Sequence, residues 1–420
     1  MKRTILKGAI YVFAVFDLVA VLILEIQRNT TPPERIRNTS ESLARQVHND
    51  DSLELTSLFP PDEELTQAVP VNLRLISKEV VRAGQGAKSV LMDKQGKYVY
   101  SFNLEAMTVT EYDRISRKKT RTLQFYGSQG KGYDYTERKW VDSFEEKPVE
   151  GCITHEGNYL WVSLHNGGGI IAWNLKAKDE LQNVSKKKVK VLLADGSEED
   201  TYVRFFTTGR TPKVLLESPD GRHLMVTNWH DNSVTVLDIH SPDVNRWALQ
   251  QNIKTGSVPR GMAVAPQLNK LFVTNMGSGQ ITQIDLATFQ RLGEWKVGRT
   301  PRHILTDQNF MYISLSSPDK LIKVRLDSMQ TTQSIRTAND PRTIAFSGDS
   351  SLVFVTCYSS EKLQAFTTKG LNLLGSWDSP GKPVGVAVYQ KGDILEAWVC
   401  NYTGGYLKVF TFEMEYGEAM

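Results

Sequence analysis

Cysteine is scarce in this chain. Three occur in 420 residues, Cys152, Cys357 and Cys400. An odd, widely spaced set excludes a disulfide framework. The absence of C-x-x-C or paired Cys/His spacing argues against a structural zinc site. An excess of charge of one sign is also missing. The net charge is +3, so the chain as a whole does not read as a nucleic-acid binder, and any electrostatic function must come from local clustering. There is no G-x-S-x-G elbow, no H-E-x-x-H and no P-loop. Serine-hydrolase, zincin and nucleotide-hydrolase readings therefore lack motif support.

What is present begins with "MKRTILKGAIYVFAVFDLVAVLILEIQRN". A basic start leads into an apolar run that ends near Ile26 without a small-residue cleavage pattern. We read residues 1–27 as a cytoplasmic stub and an uncleaved signal-anchor transmembrane helix. Its apolar length of about 20 residues is enough to span a bilayer. The leading Lys2, Arg3 and Lys7 favour a cytoplasmic N-terminus, with the rest of the chain exported. Asp17 lies inside this span. It is either a contact for a partner helix or a neutralised carboxyl that the segment tolerates. Residues 28–70 carry Pro32, Pro33, Pro60, Pro61 and Pro70 among many charges, a composition suited to a linker or stalk.

From residue 71 to 420 the pattern becomes short β-rich runs punctuated by turns. Alignment on a proline gives five clear units: "TPKVLLESPDGRHLMVTN", "VPRGMAVAPQLNKLFVTN", "TPRHILTDQNFMYISL", "DPRTIAFSGDSSLVFVTC" and "KPVGVAVYQKGDILEAWVCN". Pro212, Pro259, Pro301, Pro341 and Pro383 are 47, 42, 40 and 42 residues apart. Two earlier units, at Pro148 and at Ala87, bring the total to seven. Each unit reads as four short strands in about 40 residues, the signature of a propeller blade. The expectation is an all-β, seven-bladed β-propeller with four-stranded blades. The strand-like segment 72–81 is expected to complete the last blade and close the ring, which protects a sheet edge. Two units are expanded, between Asp113 and Pro148 and between Leu175 and Pro212. The second expansion carries lysines at 186–188 and 190. Long insertions in a compact repeat fold are often functional; the alternative is a solvated β-excursion.

Proline, an apolar strand, S-P-D-G, V-T-N and a following V-x-V-x-D resemble the YVTN-repeat, or surface-layer-type, propellers. The likeness covers roughly residues 72–413 and is strongest from 209 to 286. It departs at Ile313-Ser314-Leu315, at "VYSF" and in the expanded units. The resemblance implies a seven-bladed ring, frequently exported, that binds something rather than sharing one catalytic site. Few members carry a shared catalytic site, and no cofactor is expected.

Candidate site residues come from register. The position after the aligned proline is Lys88, Val149, Lys213, Arg260, Arg302, Arg342 and Val384, basic in five of seven units. Seven-fold closure would gather these cations around one mouth of the ring. Like charges so close call for an anion or for neighbouring carboxylates. The alternative is that each cation packs on the next blade and bonds a carbonyl. The position after the second strand opens on the same face and holds His165, Trp229, Met276, Ser316, Tyr358 and Tyr402, with Asn103 in the first unit. Aromatic and arginine side chains together suit a recognition surface. His155 and Glu156 fall on the opposite face and read as a turn. His165, His230 and His303 share the upper face and leave open a metal-assisted lyase or hydrolase, although no metal-ligand motif accompanies them. The leading expectation is a membrane-anchored, extracytoplasmic binding scaffold in an envelope complex, with protein partners and an anionic ligand at the mouth. Catalysis and nucleic-acid binding are the weaker expectations.

Overall fold

A computed structural model describes residues 69–134 and 137–417. The anchor, Asp17 and nearly all of the stalk lie outside the described residues. Among the described residues no helix is long and apolar enough to cross a membrane.

The described chain is an all-β, propeller-like fold. Five four-stranded sheets and one nine-stranded sheet carry it, with a separate two-stranded hairpin. The sheet that opens with Pro259–Ala265 shows the plan. That strand pairs with Lys270–Asn275, which pairs with Gln280–Asp285, which pairs with Arg291–Lys296, all antiparallel. The strand expected over 72–81 runs from Val69 to Arg82 and pairs with Tyr406–Gly417, so the two ends of the described chain share one sheet.

The first strands of successive meanders neighbour one another. Ala87–Met92 lies beside Pro148–Thr154, which lies beside Pro212–Glu217; the series continues through Pro259–Ala265, Pro301–Thr306, Pro341–Phe346 and Pro383–Lys391, and returns to Ala87–Met92. Burial follows from this arrangement. Second strands are covered on both faces by adjacent sheets, so Leu352–Cys357 and Tyr159–Leu164 are buried throughout. Outer fourth strands such as Thr331–Arg336 alternate between exposed and half-buried positions. The core forms between sheets. Phe272 and Ala263 of one pack with Ile304 and Ile313 of the next, and Phe354 packs with Val386, Ala397 and Phe412.

The V-T-N phrase proves to be a clip between neighbouring meanders. Just after each aligned proline the first strand slips register, and such a bulge frees a backbone N–H. The hydroxyl of the phrase accepts it: Gly261 N–H donates to Thr274 Oγ1 at 2.8 Å and Thr343 N–H to Thr356 Oγ1 at 3.2 Å. The same hydroxyls then donate across the seam to the post-proline carbonyl of the next meander. Thr227 reaches Arg260 O, Thr274 reaches Arg302 O, Ser314 reaches Arg342 O and Thr356 reaches Val384 O, at 3.3, 3.4, 2.6 and 2.9 Å. Cys400 stands in the place of the threonine, and its Sγ accepts from Gly385 N–H. The phrase's asparagines Asn228 and Asn275 brace the return turn, donating to Thr235 and Thr282 respectively.

The nine-stranded sheet is the departure from the repeat. Two meanders, 87–125 and 148–207, are joined because Lys186–Leu193 pairs on one side with Lys119–Phe125 and on the other with Glu198–Thr207. The second expansion is thus built into the sheet wall. Its lysines are engaged there: Lys187 with Glu145 and Glu146, Lys188 with Asp200, and Lys190 with Glu198. All three cysteines are free thiols, and burial pushes each up to about 12, so they are inert.

Candidate functional site

Backbone geometry sets the mouth. The residue before each aligned first strand has positive φ in six of the seven meanders: Gly86, Thr211, Val258, Thr300, Asp340 and Lys382. This conformation is costly for a β-branched residue such as Val258. It lets the carbonyl accept the N–H of the residue that follows the second strand. Val258 O accepts from Met276, Asp340 O from Tyr358 and Lys382 O from Tyr402, at 2.9 to 3.0 Å. The two positions singled out by register are therefore tied together, and the side chains that follow them converge on one face.

The cations stack largely as inter-blade pairs. Lys88 lies over the ring of Tyr402 at 4.8 Å, and Arg260 lies 5.9 Å from that of Trp229. Arg302 Nη1 approaches Met276 Sδ at 3.5 Å. Lys213 Nζ meets His165 Nδ1 at 2.5 Å and also lies 4.2 Å from the Trp229 ring. In each case the loop partner belongs to the preceding meander, except that Trp229 belongs to the same meander as Lys213. Arg342 instead stacks on Tyr358 of its own meander at 3.5 Å and pairs with Asp340. The stacking half of the alternative reading is realised, but the acceptors found are side chains rather than backbone carbonyls.

One residue that register did not select organises the cluster. Glu150, one position after Val149, reaches inward and accepts from Arg260 Nη2 at 2.5 Å. These two side chains are 17% and 4% exposed, so the pair is shielded from solvent. Burial opposes ionisation of Glu150, but Arg260, Ser89 and His303 outweigh it and hold the carboxyl below its usual range. Its signal in the sequence is a carboxylate inside the otherwise apolar strand "PVEGCIT".

The lysines respond in the opposite sense. Burial, then Arg342, Arg302 and Arg260, lower Lys88 to about 7. Burial, then Arg260 and Lys88, push Lys213 well below its ordinary value, and it is only 2% exposed. Burial and the charges of Arg342 and Arg260 act likewise on Arg302. Burial and Lys213 drive His165 down, and burial with Arg260 takes His303 to about 4, so both imidazoles are neutral near pH 7. Several donors of this cluster have no acceptor among the described residues: Arg260 Nε and Nη1 are buried without one, and His303 Nδ1 is buried and unpaired.

Aromatic and acidic side chains flank this cluster. The first expansion forms the hairpin Gln129–Asp134 and Lys139–Phe144. Its Tyr133 and Trp140 approach His230 with ring centroids 6.0 and 5.8 Å away. Trp140 is half-exposed. His230 follows Trp229, so the hairpin stands beside the Lys213 sector of the mouth. On the other side of the cluster Tyr402 donates to Glu105, which also pairs with Lys147. Among the described residues no group of three or more His, Cys, Asp or Glu side chains is arranged to hold a metal ion. His230 is engaged with Thr211 and His165 with Lys213. His155 stacks on Trp247 at the opposite face, a packing role.

Comparison with known proteins agrees with this architecture. The β-propeller domain of Cps50 (Swd1) from Myceliophteria thermophila superposes with a TM-score of 0.57 at 12% identity, over 79% of this chain and 99% of that one. The fold is that of a β-propeller. No family model matches the chain. Protein NirF of Pseudomonas aeruginosa is 23% identical over 271 residues, covering 54% of this chain and 69% of NirF. Antigen Lp49 of Leptospira interrogans is 22% identical over 264 residues, covering 57% of this chain; the chain spans about half of the Lp49 length, 52%.

Proposed function

We propose that this chain is a membrane-anchored, extracytoplasmic propeller of seven YVTN-type blades that serves as a binding scaffold in an envelope protein complex, docking its partner on the basic–aromatic face. One observation carries the reading: five cations at equivalent positions converge on a single mouth, several stacked on aromatic rings, with donors left unmatched. A fold needs none of this for its own stability, since buried donors without acceptors are costly. Binding surfaces favour such arginine–aromatic clusters. The basic-led apolar run at the N-terminus supports the anchor, and a relative named an antigen is in keeping with export.

Extraction of the full-length protein in mild detergent, followed by cross-linking and mass spectrometry, tests this. A defined partner should be captured by the native chain and lost from a chain carrying Arg302→Glu and Arg342→Glu. Migration as a lone species, or equal capture by the variant, would overturn the scaffold reading.

A further inference from the structure

We infer that the mouth of the ring is a binding site for a small, multiply charged oxyanion, a polycarboxylate or a phosphate, held by Arg260, Arg302, Lys88 and Lys213. The inference rests on the reading that this face is the recognition face, and goes beyond it by naming the chemistry that fits the cation cluster.

Charge supplies the first argument. Lys88, Lys213, Arg260, Arg302 and Arg342 surround the site, and the carboxylates within it are Glu150 and Asp340. The three arginines exceed the two carboxylates by one, and each lysine that an incoming anion keeps protonated adds one more, up to three, so a multiply charged ligand suits the cluster better than a singly charged one. Hydrogen bonding supplies the second. Arg260 is 3% exposed, and its Nε and Nη1 lack acceptors while Nη2 is held by Glu150. Arg302 donates to a thioether, a weak acceptor that a charged oxygen would readily displace. A guanidinium fixed at one end by Glu150 has its other donors already oriented, so binding costs little ordering. The Tyr133–Trp140 hairpin stands against His230 on one side of the cluster, and Tyr402 with Glu105 stands on another.

Binding is linked to protons. The groups that face Lys88 and Lys213 are Arg260, Arg302, Arg342, Glu150, His165, His230, His303 and Asp340, with Tyr402 and Glu105 beside them. In the free protein Lys88 loses its proton near 7. An anion among these groups favours the protonated lysine, so for an anion of fixed charge binding takes up protons and affinity falls as pH rises through 7.

Isothermal titration calorimetry on the detergent-solubilised full chain tests the site, with citrate and inorganic phosphate as probes, chloride as the monovalent control and an Asp/Glu-rich peptide as the bulky source of carboxylate. Citrate or phosphate should bind more tightly than chloride. Arg302→Gln should weaken binding roughly tenfold to a hundredfold, and Lys88→Gln should reduce the pH dependence that remains once the probe's own ionisation is accounted for. Lys188→Gln, an equal loss of charge on the outer sheet, should change nothing, and thermal melts confirm that each variant is folded. No heat with either probe, parity with chloride, or an unchanged Arg302→Gln affinity would overturn the proposal. If only the peptide binds, the small-anion site is refuted while partner docking stands. If citrate or phosphate binds but no partner is captured, the scaffold reading fails and the anion site stands.

Discussion

The two ends of the ring treat polar groups in opposite ways. At the lower turns several acidic side chains accept from the backbone of their own turn. Asp307 accepts from the N–H groups of Asn309 and Phe310. Asp349 accepts from Ser347, Ser351 and Gln390. Asp285 accepts from Ala287 and Thr288. Apart from the Gln390 contact, which comes from the next meander, these are local turn-forming bonds. At the upper mouth, cations from different meanders crowd together around Glu150 and leave donors unmatched. At the lower end the cross-meander cations Arg114 and Arg117 are matched by Glu396, although Arg117 Nε is left without an acceptor there too; at the upper end five cations share Glu150 and Asp340. A binding site on a repeat scaffold is expected where the local bookkeeping does not close.

The contrast breaks most severely at Glu150. Glu150→Gln removes the carboxylate that compensates Arg260 and leaves a buried cation without a counter-charge. The expected loss is about 3–5 kcal/mol of stability, read as a lower denaturant midpoint. Added citrate should restore part of it, because an anion replaces the missing charge. A loss below about 1 kcal/mol would mean that solvent already screens the pair. Thr356→Val probes the seams that both ends share. It strips the acceptor from Thr343 N–H and the donor to Val384 O, and is expected to cost about 1–3 kcal/mol. Anion affinity should stay unchanged. Asp349→Ala, at the lower end, should cost about 1 kcal/mol by the same measurement and leave citrate binding untouched.

How much of this was legible in the sequence differs between backbone and side chains. The proline-to-proline spacing near 42 residues and the V-T-N phrases report a repeated meander, because strand length and turn chemistry are local properties. Lys213, Arg260, Arg302 and Arg342 could be placed on one face for the same reason: they hold the same register in every unit. Glu150 could not, because it is one position out of that register and matters only once a first strand from another meander faces it. Thr274 read as a strand residue; its bond to Arg302 O crosses a seam between units some 40 residues apart in phase, which periodicity alone does not reveal. The lysine run at 186–188 read as a possible charged excursion, whereas pairing with Lys119–Phe125 turns it into wall. The reach of Trp140 to His230 depends on how the hairpin folds back, and no local pattern encodes that.

The smallest expected effect tests whether the upper mouth holds backbone strain as well as charge. Val258 has φ of 56°, a region in which a β-branched side chain is disfavoured. A residue before proline ordinarily prefers extended backbone, so the sequence gives no reason for this conformation; the reason is the bond from Met276 N–H to Val258 O. Glycine adopts positive φ without the steric cost, although it releases more conformational entropy in the unfolded chain. The balance predicts that Val258→Gly stabilises the protein by about 0.5–1 kcal/mol, seen as a small rise in the denaturant midpoint. If the anion site depends on this turn being stiff, the same variant should bind citrate slightly more weakly while being more stable. A variant that is less stable would show that the half-buried Val258 side chain contributes more by packing than the turn costs by strain.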